Sequence, residues 1–122
     1  MKPILAFFIL YVGVVLNISG QTPADRIVGV WANEKHTSQN KIYKRGSFYE
    51  AKIIKAKENK YIGAITLYNL SYNGKLWTGK AKHPQNGSIA DVTIQLINSD
   101  TLLITVSLAG ITKSKNWYRV KS

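Results

Sequence analysis

No cysteine occurs in the 122 residues. That excludes disulfides, thiolate nucleophiles, thiolate zinc sites and a lipidated cysteine at a cleavage site, and leaves core packing to hold the fold. Histidine is nearly absent: His36 and His83 have no second His, Cys or carboxylate at ligand spacing. No metal site is expected, because such sites need three or four converging ligands. Acids are also few, six Asp and Glu against 17 Lys and Arg. Asp25, Glu34, Glu50, Glu58, Asp91 and Asp100 stand singly, so no carboxylate pair suggests acid–base catalysis. A Gly-x-Ser-x-Gly nucleophile elbow is missing too. The expectation is a protein that is not an enzyme and carries no cofactor.

Long apolar runs are equally scarce. The one present, Ile4 to Leu16, follows Lys2 and precedes the small and polar Ser19-Gly20-Gln21. These are the three parts of a secretory signal, and the run is short of the roughly 20 residues that span a bilayer as a helix. We therefore read residues 1–21 as a cleaved signal peptide and 22–122 as one exported domain, periplasmic or secreted. Without Lys2, sixteen basic residues face six acids, a formal charge of +10. Such a field favours anionic partners, although a dispersed charge also simply keeps a small domain soluble.

Beyond Asp25 the chain is rich in Val, Ile, Thr, Tyr and Trp in short segments, and no helical period lasts three turns. Strands are expected near Arg26–Asn33, Asn40–Lys44, Ser47–Ala56, Tyr61–Ser71, Lys75–His83, Ile89–Ile97, Thr101–Leu108 and Lys115–Val120. Asn73-Gly74 and Asn86-Gly87 are hairpin signals, and Arg45-Gly46-Ser47 and Asn98-Ser99-Asp100 are turn-like. Val92, Ile94 and Leu96 alternate with Thr93 and Gln95, and Leu102, Ile104, Val106 and Leu108 alternate with their neighbours. Each strand thus has one apolar face. A meander of about eight such strands hides that face, and loses its edges, by closing into an antiparallel up-and-down barrel.

The first strand holds Gly29-Val30-Trp31 and the last holds Asn116-Trp117-Tyr118-Arg119-Val120. A Gly-x-Trp opening and an Arg in the closing strand resemble the end closure of lipocalins, which implies that Arg119 lies across the Trp31 indole. Stacking of a guanidinium on an indole, with its donors on carbonyls, gives that contact a physical basis. More of the chain is similar to the bacterial family known as domain of unknown function 2147. The resemblance runs through Ile27 to Trp31, Tyr61-Ile62-Gly63, Leu76-Trp77-Thr78-Gly79, His83-Pro84, Asn86-Gly87, Asp100-Thr101-Leu102 and Lys113 to Val120. It implies an exported lipocalin-like barrel and no established activity. Two features depart from that pattern: the insertion usual after the Tyr-x-Gly strand is missing, and Lys82-His83-Pro84 replaces an aromatic and an Asp before the Pro.

Tyr43, Phe48, Tyr49, Tyr61, Tyr68, Tyr72, Trp77 and Tyr118 either fill a small barrel or line a site for an amphipathic ligand. On the second reading Tyr49, Tyr61, Tyr68 and Trp77 are the candidate ligand-binding residues, while Gly29, Trp31 and Arg119 close the barrel. Lys52, Lys55, Lys57 and Lys60 form one basic stretch, and Lys113, Lys115, Arg119 and Lys121 another. They read either as solvated hairpin tips or as a surface for anionic envelope lipid or glycan. No motif with stacked aromatics points to specific nucleic-acid binding.

Overall fold

A computed structural model describes residues 22–121; the expected signal segment, 1–21, lies outside the described residues. Eight strands follow in order: β1 Gly29–Asn33, β2 Gln39–Arg45, β3 Phe48–Lys55, β4 Ile65–Tyr72, β5 Trp77–Lys82, β6 Ile89–Asn98, β7 Thr101–Leu108 and β8 Ile111–Arg119. Each pairs antiparallel with the next and β8 returns to β1, closing the sheet into a barrel. The period-two pattern sets the register. Val92 stands opposite Val106, Ile94 opposite Ile104 and Leu96 opposite Leu102, all inward, while Thr93 pairs with Thr105 on the outside.

Three boundaries differ by three residues or more from those expected. Pro23–Ile27 forms a 3₁₀ turn, so β1 begins at Gly29. A proline with fixed φ and no N–H opens a helical turn well but donates nothing to a ladder. Asn59–Tyr61 forms a second 3₁₀ turn, which takes Tyr61 out of β4. The last strand begins at Ile111, four residues early, because Ala109 and Gly110 (φ 53° and 82°) make a two-residue hairpin between paired Leu108 and Ile111. A left-handed alanine costs energy, and no Asn-Gly or Asp-Gly announces this turn.

Asn69, at φ 52°, marks the irregularity between β4 and β5, where the register shifts between Tyr68 and Ser71. Its carbonyl and that of Tyr68 would lie 2.8 and 2.7 Å from a Cβ on Gly79. Only glycine lets β5 pass so close to the bulged strand.

The floor of the barrel is built on the segment before β1. Ile27 is fully buried, and three aromatic side chains reach back to its neighbours. Trp31 Nε1 donates to the Ile27 carbonyl (2.9 Å), Trp77 Nε1 to the Ala24 carbonyl (3.1 Å), and the Tyr49 hydroxyl to the Asp25 carboxylate. Arg119 completes the plug. Its guanidinium carbon lies 4.3 Å from the Trp31 ring centroid, and its nitrogens donate to the carbonyls of Ser99 (2.9 Å), Val28 (3.0 Å) and Arg26 (2.8 Å). Trp31 and Arg119 are also direct partners in the β1–β8 register.

Gly29 belongs to the same assembly. At φ 143° it adopts backbone that L side chains avoid, and a Cβ there would stand 2.6 Å from Arg119 Nη1. The Gly-x-Trp spacing therefore makes room for the guanidinium at one residue and offers it an indole at the other.

Truncating this contact should cost in proportion to what is lost. Trp31→Ala removes a fully buried indole, typically about 3–5 kcal/mol, out of a total stability of about 5–15 kcal/mol. Arg119→Ala should cost about 1–3 kcal/mol, for the stacking and charged hydrogen bonds. Gly29→Ala should cost a similar amount through strain and displacement of the guanidinium, again about 1–3 kcal/mol. Urea unfolding followed by tryptophan fluorescence measures all three; a Trp31→Ala protein as resistant as the parent would refute the plug.

Candidate functional site: a cavity open at one end

Because the strands alternate in direction, β1–β2, β3–β4, β5–β6 and β7–β8 connect at the end away from the plug. There the barrel holds an open cavity of about 700 Å³. Its deep walls are apolar: Ile53, Leu67, Ile104, Val106 and Trp117. Ala81 and Ala90 face each other across β5 and β6 and leave the space that larger side chains would take. One polar pair lies among them. Asn40, 7% exposed, accepts from the Thr66 hydroxyl at 2.6 Å, and both residues line the cavity.

The rim is of different chemistry. His83, Ser88, Leu108 and Ile111 meet Lys82, Lys113 and Lys115 there, and no Asp or Glu lines the cavity. His83 Nδ1 accepts from the Gln85 backbone N–H at 3.1 Å, which holds the ring within its turn. Among the described residues, no three His, Asp or Glu side chains converge on a point that could hold a metal ion.

The aromatic side chains singled out from the sequence lie elsewhere. Trp77 and Tyr49 belong to the floor, where their polar tips are taken by Ala24 and Asp25, and Tyr72 packs 4.5 Å from Trp77. Tyr68 follows the inward Leu67 and pairs with Lys80 on the outer face. Tyr61 sits in its 3₁₀ turn with the Lys60 ammonium 5.2 Å from its ring. None of Tyr49, Tyr61, Tyr68 and Trp77 lines the cavity.

Asn40, Thr66, Trp117, Lys113 and Lys115 take the places that the tyrosines were expected to hold. The signal for three of them is parity. Trp117 and Arg119 point inward, so Lys115 and Lys113, two and four residues before Trp117, point inward as well.

The floor has its own electrostatics. The hydrogen bond from Tyr49 holds the Asp25 carboxyl below the usual carboxylate range against partial desolvation, with help from Lys44 at 3.8 Å. Desolvation, then the hydrogen bond to Asp25, pushes the Tyr49 phenol up to about 12. Asp25 has the depressed folded value, so its contribution is present above the unfolded carboxylate pKa and lost as pH falls through the folded one. Tyr49 has the raised value, so its contribution is present below about pH 10 and lost as pH rises toward 12. Melting curves across pH should show the advantage of the parent over Tyr49→Phe shrinking at both extremes. A pH-independent difference would mean that the pair is not formed.

The fold has a counterpart among solved structures. Protein HP1028 of Helicobacter pylori, described as belonging to the lipocalin family, superposes with a TM-score of 0.63 over 78% of this chain and 83% of that one, at 17% identity. That likeness is one of fold: an antiparallel closed barrel. No curated protein matches the sequence. The pattern of the family described as "Uncharacterized protein conserved in bacteria (DUF2147)" matches residues 29–119, from the glycine beneath the guanidinium to the arginine that bears it. This chain belongs to that bacterial family.

Proposed function

We propose that the protein is an exported, non-catalytic binding barrel that holds a small apolar or amphipathic molecule in its open cavity. The observation that carries this reading is the division of the interior. The floor is filled and its polar groups are paired, whereas the upper half leaves about 700 Å³ among apolar walls. Ligand sites for small molecules are typically about 300–1,000 Å³, mostly apolar, with a few placed polar groups. The lipocalin-like fold supports the same reading.

Trp117, 5% exposed and in the cavity wall, supplies the probe. A neutral apolar fluorophore such as N-phenyl-1-naphthylamine should bind with one-to-one stoichiometry and perturb indole emission. A saturating ligand should raise the melting temperature, since about 2.7 kcal/mol of stabilisation accompanies a hundredfold excess over Kd. Ala90→Phe should put a ring into the upper cavity and weaken binding at least tenfold. Failure of every neutral and charged amphiphile to shift the melting temperature would refute the reading.

A second reading is docking of the mouth on anionic envelope lipid or glycan. It is favoured by Ile62, Ile89, Leu108 and Ile111, which are 47%, 49%, 48% and 62% exposed at the open end, near Lys57, Lys60 and Lys82. Co-sedimentation with anionic vesicles should then fall steeply with salt, because exposed charge interactions are screened within about 10 Å at 0.1 M. Binding indifferent to salt and to lipid charge would count against it.

A further inference from the structure

Lysines facing into a barrel need an explanation. Lys113 and Lys115 stand opposite Val106 and Ile104 on the inward side of β8, and both border the cavity. Two residues apart on one face, their stems rise about 7 Å apart along the strand. Thr112 and Ser114 between and beside them point outward, bonded to Ser107 and Thr105.

Five of the six acidic residues are engaged elsewhere, while Glu34, in the turn between β1 and β2, neither lines the cavity nor forms an ion pair with Lys113 or Lys115. Asp25, Glu50, Glu58, Asp91 and Asp100 pair with Lys44, Arg45, Lys60, Lys80 and the Arg119–Lys121 pair. Among the described residues no carboxylate pairs with Lys113 or Lys115, and none lines the cavity. Two ammonium groups therefore share one rim above an apolar well.

Resting on the cavity reading above, we infer that the ligand is a single-chain amphiphile with an anionic head, its tail among Ile104, Val106 and Trp117 and its head held by Lys113 and Lys115. An ammonium is a compact charge that binds carboxylate, phosphate or sulfate without demanding a planar fork. The pair thus specifies the sign of the head and not its shape. A cationic head beside β8 meets two like charges. A neutral head displaces water from the ammonium groups and returns less.

Position also separates this role from edge protection. β1 reaches β8 only through Asn33 opposite Trp117, so Ile111 to Asn116 have no strand partner on that side. Lysines on an open edge discourage pairing with a second chain. That role needs charge on the stretch and no ligand. It leaves head-group preference untouched.

The test is a head-group series on a constant tail, below micelle-forming concentrations: decanoate, decyl phosphate, decanol and decyltrimethylammonium. Calorimetry and Trp117 fluorescence read the affinity. The parent protein should bind decanoate and decyl phosphate at least tenfold more tightly than decanol, and decyltrimethylammonium weakest. Lys113→Gln/Lys115→Gln should lower the affinity for decanoate and decyl phosphate to that for decanol, and Lys113→Arg/Lys115→Arg should keep the preference. Comparing decanoate with decyl phosphate tells a carboxylate ligand from a phosphate one. Equal affinity for decanol and the anions in the parent overturns the proposal and leaves the cavity reading standing. So does a double Gln variant that keeps the preference, or one that only self-associates. If no member of the series binds, both readings fall together.

Discussion

Everything at the floor depends on one cation held over one indole. Arg119 presents its face to Trp31 and spends its donors on the carbonyls of Arg26, Val28 and Ser99. Those carbonyls belong to the segment under the barrel and to the β6–β7 turn. A single side chain therefore supplies hydrogen bonds to three backbone acceptors while covering an aromatic ring. Lysine could not do this, since its three donors diverge from one atom and it has no flat face. The remaining polar tips at this end, from Trp31, Trp77 and Tyr49, are paired with the same 3₁₀ segment. Among the described residues no buried side-chain polar atom is left without a partner.

The two ends of the barrel divide the chemistry. At the floor, large aromatic side chains fill the section and acids balance bases, with Asp25 near Lys44 and Asp100 near both Arg119 and Lys121. Toward the mouth Ala81 and Ala90 leave space between the walls, and the charged residues that line the cavity are all basic. Strand number and stagger set the width of a barrel. Whether a layer is solid or hollow is decided by side-chain volume: Trp31, Trp77 and Tyr49 below, Ala81 and Ala90 above.

Much of the fold was legible because a strand's period of two is hard to disguise. Val92 to Leu96 and Leu102 to Leu108 declare their inward faces, and the Asn-Gly turns declare the antiparallel order. Trp31 and Arg119 were legible as a resemblance, and Gly29 acquires its reason only from the 2.6 Å approach of the guanidinium. The site was not legible in the same way. Aromatic side chains look alike whether they fill a floor or line a well, and what separates Tyr49 from Trp117 is height along the barrel axis. Height depends on register and on bulges such as that at Asn69, to which composition is blind. In the sequence Lys113 and Lys115 belong to a basic stretch that reads as a solvated hairpin tip or as a surface for anionic partners, and Lys113 falls outside a strand that begins at Lys115. The left-handed alanine turn extends the strand back through Ile111 to Ser114, and the inward parity of Trp117 then reaches Lys113 as well as Lys115.

The seam between β1 and β8 also imposes an order in time. Seven of the eight ladders join consecutive strands and can form hairpin by hairpin as the chain lengthens, whereas the Arg119 bonds to Val28 and Arg26 span 91 and 93 residues. Closing so long a loop is entropically costly and comes late. Until β8 emerges, the sheet is an open ribbon with two bare edges and an uncovered indole. Each molecule thus stays unclosed for nearly all of its own synthesis, and the ring seals only once almost every described residue has been made.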